Sequence, residues 1–130
     1  MILADSDVLI DYLSGVQPVQ DQVARYIGSD RLRTTAISCF EILSGASEGR
    51  RGDPARRLVE SVNVLPLDRA AAERAAAFRR DLDRSGQSIG MADSLIAGIA
   101  LAHDLPLFTR NQKHFLRVPG LSLVEAQNDR

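Results

Sequence analysis

Three acidic residues and one amide stand where an apolar chain would not be expected to place them. Asp5 directly follows Met1-Ile2-Leu3-Ala4, a short run that reads as a buried strand, so it lies at a strand's carboxyl end. Glu41 interrupts an inward-looking helix predicted over Ala36–Ala46, whose apolar members include Ile37, Phe40, Leu43 and Ala46. An ionised glutamate is seldom buried without a partner. Asp93 is the only charged residue between Ile89 and Leu101. It falls in the first turn of a helix predicted over Met91–His103, where the helix dipole favours an anion. Asn111 follows the strand that ends in Leu107-Phe108-Thr109, with Thr109 and Arg110 able to reach the same cleft.

Each residue also has a plain structural alternative. Asp5 could be a helix N-cap, a role worth about 1 kcal/mol. Asp7, adjacent to Val8-Leu9-Ile10, is the better-placed cap and leaves Asp5 free. Glu41 could extend along the edge of its apolar face. Asp93 could cap its helix, but Gln87, Ser88 or Gly90 would serve equally. Asn111 could be a turn residue.

Taken together, the acids point to a cation. Two carboxylates about 5 Å apart repel by about 3 kcal/mol at an effective dielectric of about 20. Three converging acids are therefore partly protonated or neutralised by something. Carboxylate, amide and water oxygens suit Mg²⁺ or Mn²⁺ rather than Zn²⁺. A hard cation held by acids and open to solvent is equipment for phosphodiester hydrolysis.

The elements that must position these residues alternate. Asp5-Ser6-Asp7 opens a helix running to about Leu13, and Pro18 starts a second helix that Gly28 stops, with Val19, Val23 and Ile27 on one face. Leu32–Thr35 is a second strand, and Gly49–Gly52 a charged loop carrying Arg50 and Arg51. Asp53 caps the next helix with Pro54 at its first position. Val62–Leu67 is a third strand, and Asp68–Arg84 an Ala-rich amphipathic helix that Gly86 ends, with Ala71, Ala75, Phe78 and Leu82 facing inward. The helix over Met91–His103 is apolar on nearly every side, which marks it as buried mid-domain. Leu105–Thr109 is a fourth strand, Gln112–Phe115 a helical turn and Leu121–Val124 a fifth, edge strand. Such alternation implies an α/β fold with a mostly parallel sheet of four to five strands flanked by helices. In such sheets ligands sit beyond the carboxyl ends of the strands, near the switch in strand order.

Composition narrows the class. The chain has 130 residues, which suits one domain over residues 1–130. Its hydrophobic content is 45% and its charged content 25%, as expected of a soluble globular protein. A net charge of −1 announces no global nucleic-acid field, so any basic surface is local. Lys113 is the only lysine among mostly arginine cations. The single cysteine, Cys39, allows no intrachain disulfide and fits a reducing compartment. No signal-peptide pattern opens the chain, and the apolar run Met91–Ala102 is too short to span a bilayer, so a cytoplasmic location is expected.

Four segments carry a resemblance. Leu3 through Leu13 (LADSDVLIDYL), Thr35 through Gly45 with Glu41 inside it, Ile89 through Ala97 (IGMADSLIA) and Leu107 through Phe115 (LFTRNQKHF) followed by Val118-Pro119-Gly120-Leu121 resemble, in order, the motifs of PIN-domain proteins of the VapC type. The match covers almost the whole chain. It implies a PIN-like three-layer α/β sandwich and an Mg²⁺-dependent endoribonuclease toxin of a type II toxin–antitoxin system. It also implies a homodimer inhibited by a cognate VapB-type antitoxin. Asp5 and Asp93 would be the principal metal ligands, Glu41 would complete the acid cluster, and Asn111 would act through water. The apolar faces of Pro18–Ile27 and Ala36–Ala46, bordered by the Gly49–Gly52 loop, would receive the antitoxin. Two departures stand out: Asp7 replaces a small neutral residue, and His114 stands where many members have a further acid.

Water is then the expected nucleophile, since His103 and His114 are too separated in sequence to suggest a pair for activating a ribose 2′-hydroxyl. The products would carry 5′-phosphate and 3′-hydroxyl ends, with Arg110 and Lys113 positioning the RNA backbone. Asp5-Ser6-Asp7 also resembles the nucleophile motif of haloacid-dehalogenase phosphatases, but that scheme leaves Asp93 unexplained and lacks its downstream acidic pair. A Cys39 nucleophile with His103 or His114 is a weaker alternative, because a cysteine within an apolar helix is commonly a small buried hydrophobe. A PIN-like RNA-binding module without turnover is disfavoured by the intact Asp5, Glu41 and Asp93.

Overall fold

The structure is a computed structural model, and it describes residues 1–46 and 52–127. The Gly49–Arg51 part of the expected charged loop lies outside the described residues. The element order is β1 (Ile2–Ala4), α1 (Ser6–Leu13), α2 (Val19–Gly28), β2 (Leu32–Thr35), α3 (Ala36–Gly45), α4 (Gly52–Ser61), β3 (Asn63–Leu65), α5 (Arg69–Arg84), α6 (Met91–His103), β4 (Leu107–Phe108), α7 (Gln112–Phe115) and β5 (Leu123–Val124).

The five strands form one sheet in the order β3-β2-β1-β4-β5. Every pairing is parallel, with Ala4 opposite Thr34 on one side and Phe108 on the other. The strand that enters first is therefore central. The chain builds outward to β3 and then returns to β1's other edge with β4. That reversal opens a crevice at the carboxyl ends of β1 and β4.

Successive strand residues point to opposite faces, and here each face has its own core. Leu3 and Leu107 pack with Ala71, Ala75, Phe78, Ile96, Ala97, Ile99 and Phe115 on the side covered by α5, α6 and α7. Ala4 and Phe108 pack with Val8, Val23, Leu32, Ile42, Leu58 and Val62 on the side of α1–α4. Three layers follow. The small residues of α5 let α6 approach closely: a Cβ on Gly98 would meet the Ala71 carbonyl oxygen at 2.5 Å and the Ala75 Cβ at 2.9 Å.

Several expected boundaries move. The third, fourth and fifth strands are shorter than predicted, because pairing ends where a neighbouring strand ends. Gly28 does not stop α2 but is its last residue, and the left-handed position that turns the chain is Asp30 at φ 55°. Asp53 is not the cap of α4; that helix begins at Gly52, with Asp53 in its first turn. Pro54 is tolerated there because the first helical N–H groups have no partner within the helix. Phe40 and Leu43 do not face inward: they are 69% and 39% exposed, and Ser38 and Ile42 form the buried side of α3.

Candidate active site

Asp5 leaves the carboxyl end of β1 with its N–H donating to the Phe108 carbonyl of β4 at 2.9 Å. This main-chain bond places its side chain at the seam between the two strands. Oδ1 accepts from the Ser6 N–H at 2.8 Å, and Oδ2 accepts from the Thr109 hydroxyl at 2.8 Å. Asp5, not Asp7, is the N-cap of α1, which corrects the expected division of labour. Asp7 lies in the first turn and reaches across the crevice instead. Its Oδ2 accepts from the Arg110 backbone N–H at 3.0 Å and lies 3.3 Å from the Thr109 hydroxyl. Its Oδ1 is buried and receives no hydrogen bond.

Glu41 comes from the middle of α3 and accepts from the Ser6 hydroxyl at 3.3 Å. Asp93 comes from the first turn of α6. Gly90 occupies that helix's N-cap without a side-chain bond, so Asp93 is not a cap. Asp93 Oδ2 accepts from Asn111 Nδ2 at 3.2 Å and lies 3.4 Å from His114 Nδ1. Asn111 Nδ2 is also 3.0 Å from that ring nitrogen, and its two hydrogens can serve both neighbours. The Asn111 N–H in turn donates to Thr109 Oγ1 at 3.0 Å.

The electrostatics show that these groups form one cluster. Burial, then the charge of Asp7 and, more weakly, that of Asp93 push the Asp5 carboxyl up to about 7, against the hydrogen bonds from Thr109 and Ser6. Burial also raises Asp7, offset by the Arg110 and Val8 backbone N–H groups and the Arg110 charge. Glu41 is raised by burial and by the charges of Asp93 and Asp7. The charges of Asp7 and Asp93 thus make both Asp5 and Glu41 harder to ionise.

Such a cluster fits a hard divalent cation. Its donors are carboxylate oxygens with an amide alongside, and Asp7 Oδ1 is a buried lone-pair site with nothing bonded to it. Among the described residues no three His, Cys, Asp or Glu side chains form a closed group that could hold an ion. An open arrangement with few protein ligands suits Mg²⁺, which retains several waters.

One pairing lies outside the sequence expectations. Asp11 is buried, and its Oδ2 pairs with Arg110 Nε at 3.0 Å. The guanidinium assigned to RNA is thus engaged on the protein itself. Thr109, expected near the cleft, is buried at the seam, where its hydroxyl donates to Asp5 Oδ2 and lies 3.3 Å from Asp7 Oδ2. The sequence hint for Asp11 was its i, i+4 spacing from Asp7 on one helix face. Lys113 is exposed on α7. Cys39 is a partly buried free thiol in α3.

Comparison with known proteins agrees with this geometry. The PIN domain family matches residues 2–121. Ribonuclease VapC10 of Mycobacterium tuberculosis is 37% identical over 115 residues, covering 88% of this chain and 86% of that protein. The crystal structure of VapBC2 from Rickettsia felis bound to a promoter DNA fragment superposes with a TM-score of 0.82 at 20% identity, over 96% of this chain and 98% of that one. VapBC-1 from nontypeable Haemophilus influenzae gives a TM-score of 0.74 at 26% identity, over 96% and 98%. The chain belongs to the PIN domain family and, within it, to the VapC ribonucleases.

Proposed function

We propose that this protein is the endoribonuclease toxin of a type II toxin–antitoxin system, cleaving RNA at the Asp5–Glu41–Asp93 cluster and restrained by a VapB-type antitoxin. The observation that carries the reading is the gathering of Asp5, Asp7, Glu41 and Asp93 at the switch point of a parallel sheet, where burial and mutual repulsion hold Asp5 up to about 7. The VapC10 likeness supports RNA as substrate, and the likeness to VapBC-1 supports an antitoxin partner and assembly into an oligomer, for which we take a homodimer. Among the described residues no helix is long and apolar enough to cross a membrane. A cytoplasmic site of action fits an RNA substrate.

Asp5 and Asp93 are the residues to hold Mg²⁺, with Mn²⁺ as a substitute. When bound, the ion supplies a polarised water and charge compensation at the phosphate. Asp5 is oriented for this by Thr109 and Ser6, and Asp93 by Asn111. Glu41, with its proton affinity raised by burial, is suited to take a proton from an attacking water. Asn111 also orients Asp93 directly, beside its expected action through water. Lys113, exposed on α7 one residue before His114, is the cation we assign to the RNA backbone.

Water rather than a 2′-hydroxyl is the nucleophile. His114 stands beside Asp93, but His103 ends the same helix ten residues further on, about 15 Å away at the helical rise. No histidine pair brackets a phosphate here. End-group analysis of cleaved RNA tests the reading. Cleavage in Mg²⁺ should leave 5′-phosphate and 3′-hydroxyl ends, and should disappear in EDTA and in Asp5→Ala. A 2′,3′-cyclic phosphate, or cleavage unchanged in EDTA, contradicts it. Calorimetry adds a check on the ion: the wild type should bind Mg²⁺ and Asp93→Asn should not.

A further inference from the structure

A guanidinium stands beside the acid cluster and is bonded to a carboxylate outside it. Arg110 is tied into the site through its main chain, since its N–H donates to Asp7 Oδ2 at 3.0 Å. Its side chain starts at the acids yet ends on Asp11, with Nε 3.0 Å from Oδ2. Asp11 lies one turn along α1 from Asp7, on the same helix face. The pair is unequal: the Asp11 side chain is 9% exposed and that of Arg110 is 58% exposed. A carboxylate so buried is unfavourable without a cation. Asp11 therefore favours keeping this guanidinium as its partner.

A competing destination lies close by. Asp7 Oδ1 is buried and accepts no hydrogen bond. The Arg110 side chain rides on a flexible stem from a residue whose backbone N–H already bonds this carboxylate. Asp5 is next to it, sharing the Thr109 hydroxyl. A guanidinium forked onto these carboxylates would make charge-assisted hydrogen bonds and cancel the negative charge that attracts a metal ion.

We propose that Asp11 is a positioning residue that holds Arg110 off the acid cluster and so keeps the cluster open to a divalent cation. The inference rests on the metal-site reading of Asp5 and Asp93. In it the Arg110 side chain is an internal competitor for the site, and the buried Asp11 carboxylate is its restraint.

The test is a double-mutant cycle on the full chain, read by Mn²⁺ binding in calorimetry and by the paramagnetic resonance signal of free Mn²⁺. Asp11→Asn keeps the side-chain shape and removes the charge; it should weaken Mn²⁺ binding by about tenfold or more. Arg110→Ala alone should change binding by less than about threefold, because Arg110 is already held away. The double variant should return to within about threefold of wild type, a coupling expected only of interacting residues. Loss of a negative charge acting at a distance gives a different pattern: Arg110→Ala would tighten binding as much as Asp11→Asn weakens it, and the effects would add. Additivity, or an Asp11→Asn variant that binds like wild type, overturns the positioning role while leaving the metal site intact. A wild type that binds no Mn²⁺ overturns both. Thermal melts in EDTA identify an unfolded variant, and Asp11→Ser carries the same expectation if Asp11→Asn does not fold.

Discussion

The Thr109 hydroxyl donates to Asp5 Oδ2 at 2.8 Å, across the seam where the first and fourth strands meet. One side chain from residue 109 thereby steadies an acid from residue 5, and it also accepts from the Asn111 N–H. Thr109→Val keeps the shape and deletes the hydroxyl. It leaves a buried carboxylate oxygen and a main-chain N–H without this partner, which should cost about 1–3 kcal/mol. Urea denaturation in EDTA measures that loss. Ribonuclease activity should fall by about tenfold as Asp5 and Asn111 lose their alignment. A variant with unchanged stability and rate would show that this contact does not organise the site.

Removing metal should expose an unusual pH dependence. Asp5 rises from 3.8 to about 7 on folding, and Asp7 and Glu41 shift in the same direction. The metal-free folded state thus binds protons more tightly than the unfolded chain. The stability from these groups is fully present below about pH 4 and is lost as pH climbs through about 7. Melting temperature in EDTA should decline over that interval through these groups. Asp5→Asn should flatten the decline, and Mg²⁺ at neutral pH should restore stability to the wild type. A wild type and an Asp5→Asn variant with parallel profiles would refute the assignment.

The close approach of α5 and α6 makes a prediction away from the acids. Gly98→Ala would drive a methyl group into the Ala71 carbonyl oxygen at 2.5 Å. Both neighbours are backbone or short side chains, so relief requires moving a helix. The expected cost is about 1–3 kcal/mol, and Gly98→Val should cost more. Chemical denaturation of the two variants decides this; a Gly98→Ala protein as stable as wild type would mean that the helices separate freely.

What could be read from the sequence depended on whether a residue's neighbours were local. Asp5, Glu41 and Asp93 were conspicuous because each breaks an apolar pattern of its own element. The parallel sheet followed from alternating elements. The roles of Asp5 and Asp7 were exchanged because both carboxylates sit at the start of one helix. What separates them is the Thr109 hydroxyl and the Arg110 N–H, about a hundred residues away in the chain. Phe40 and Leu43 were assigned to the core because apolar composition does not reveal which side of a helix the rest of the fold covers. Asp11 was overlooked because a buried ion pair is visible only when its partner's position is known.

The central place of β1 bears on how the protein is made. β1 is made well before the β4 strand that fills its second edge, and Asp5 well before Thr109. Until residues 107–115 have left the exit tunnel, Asp93 lacks Asn111 and the seam that orients Asp5 does not exist. A chain that has not yet extruded these residues therefore lacks the hydrogen bonds that orient Asp5 and Asp93. Chains stalled before residue 105 should leave added RNA intact, whereas the released protein should cut it; cleavage by the stalled chains would show that the site assembles without its last strands.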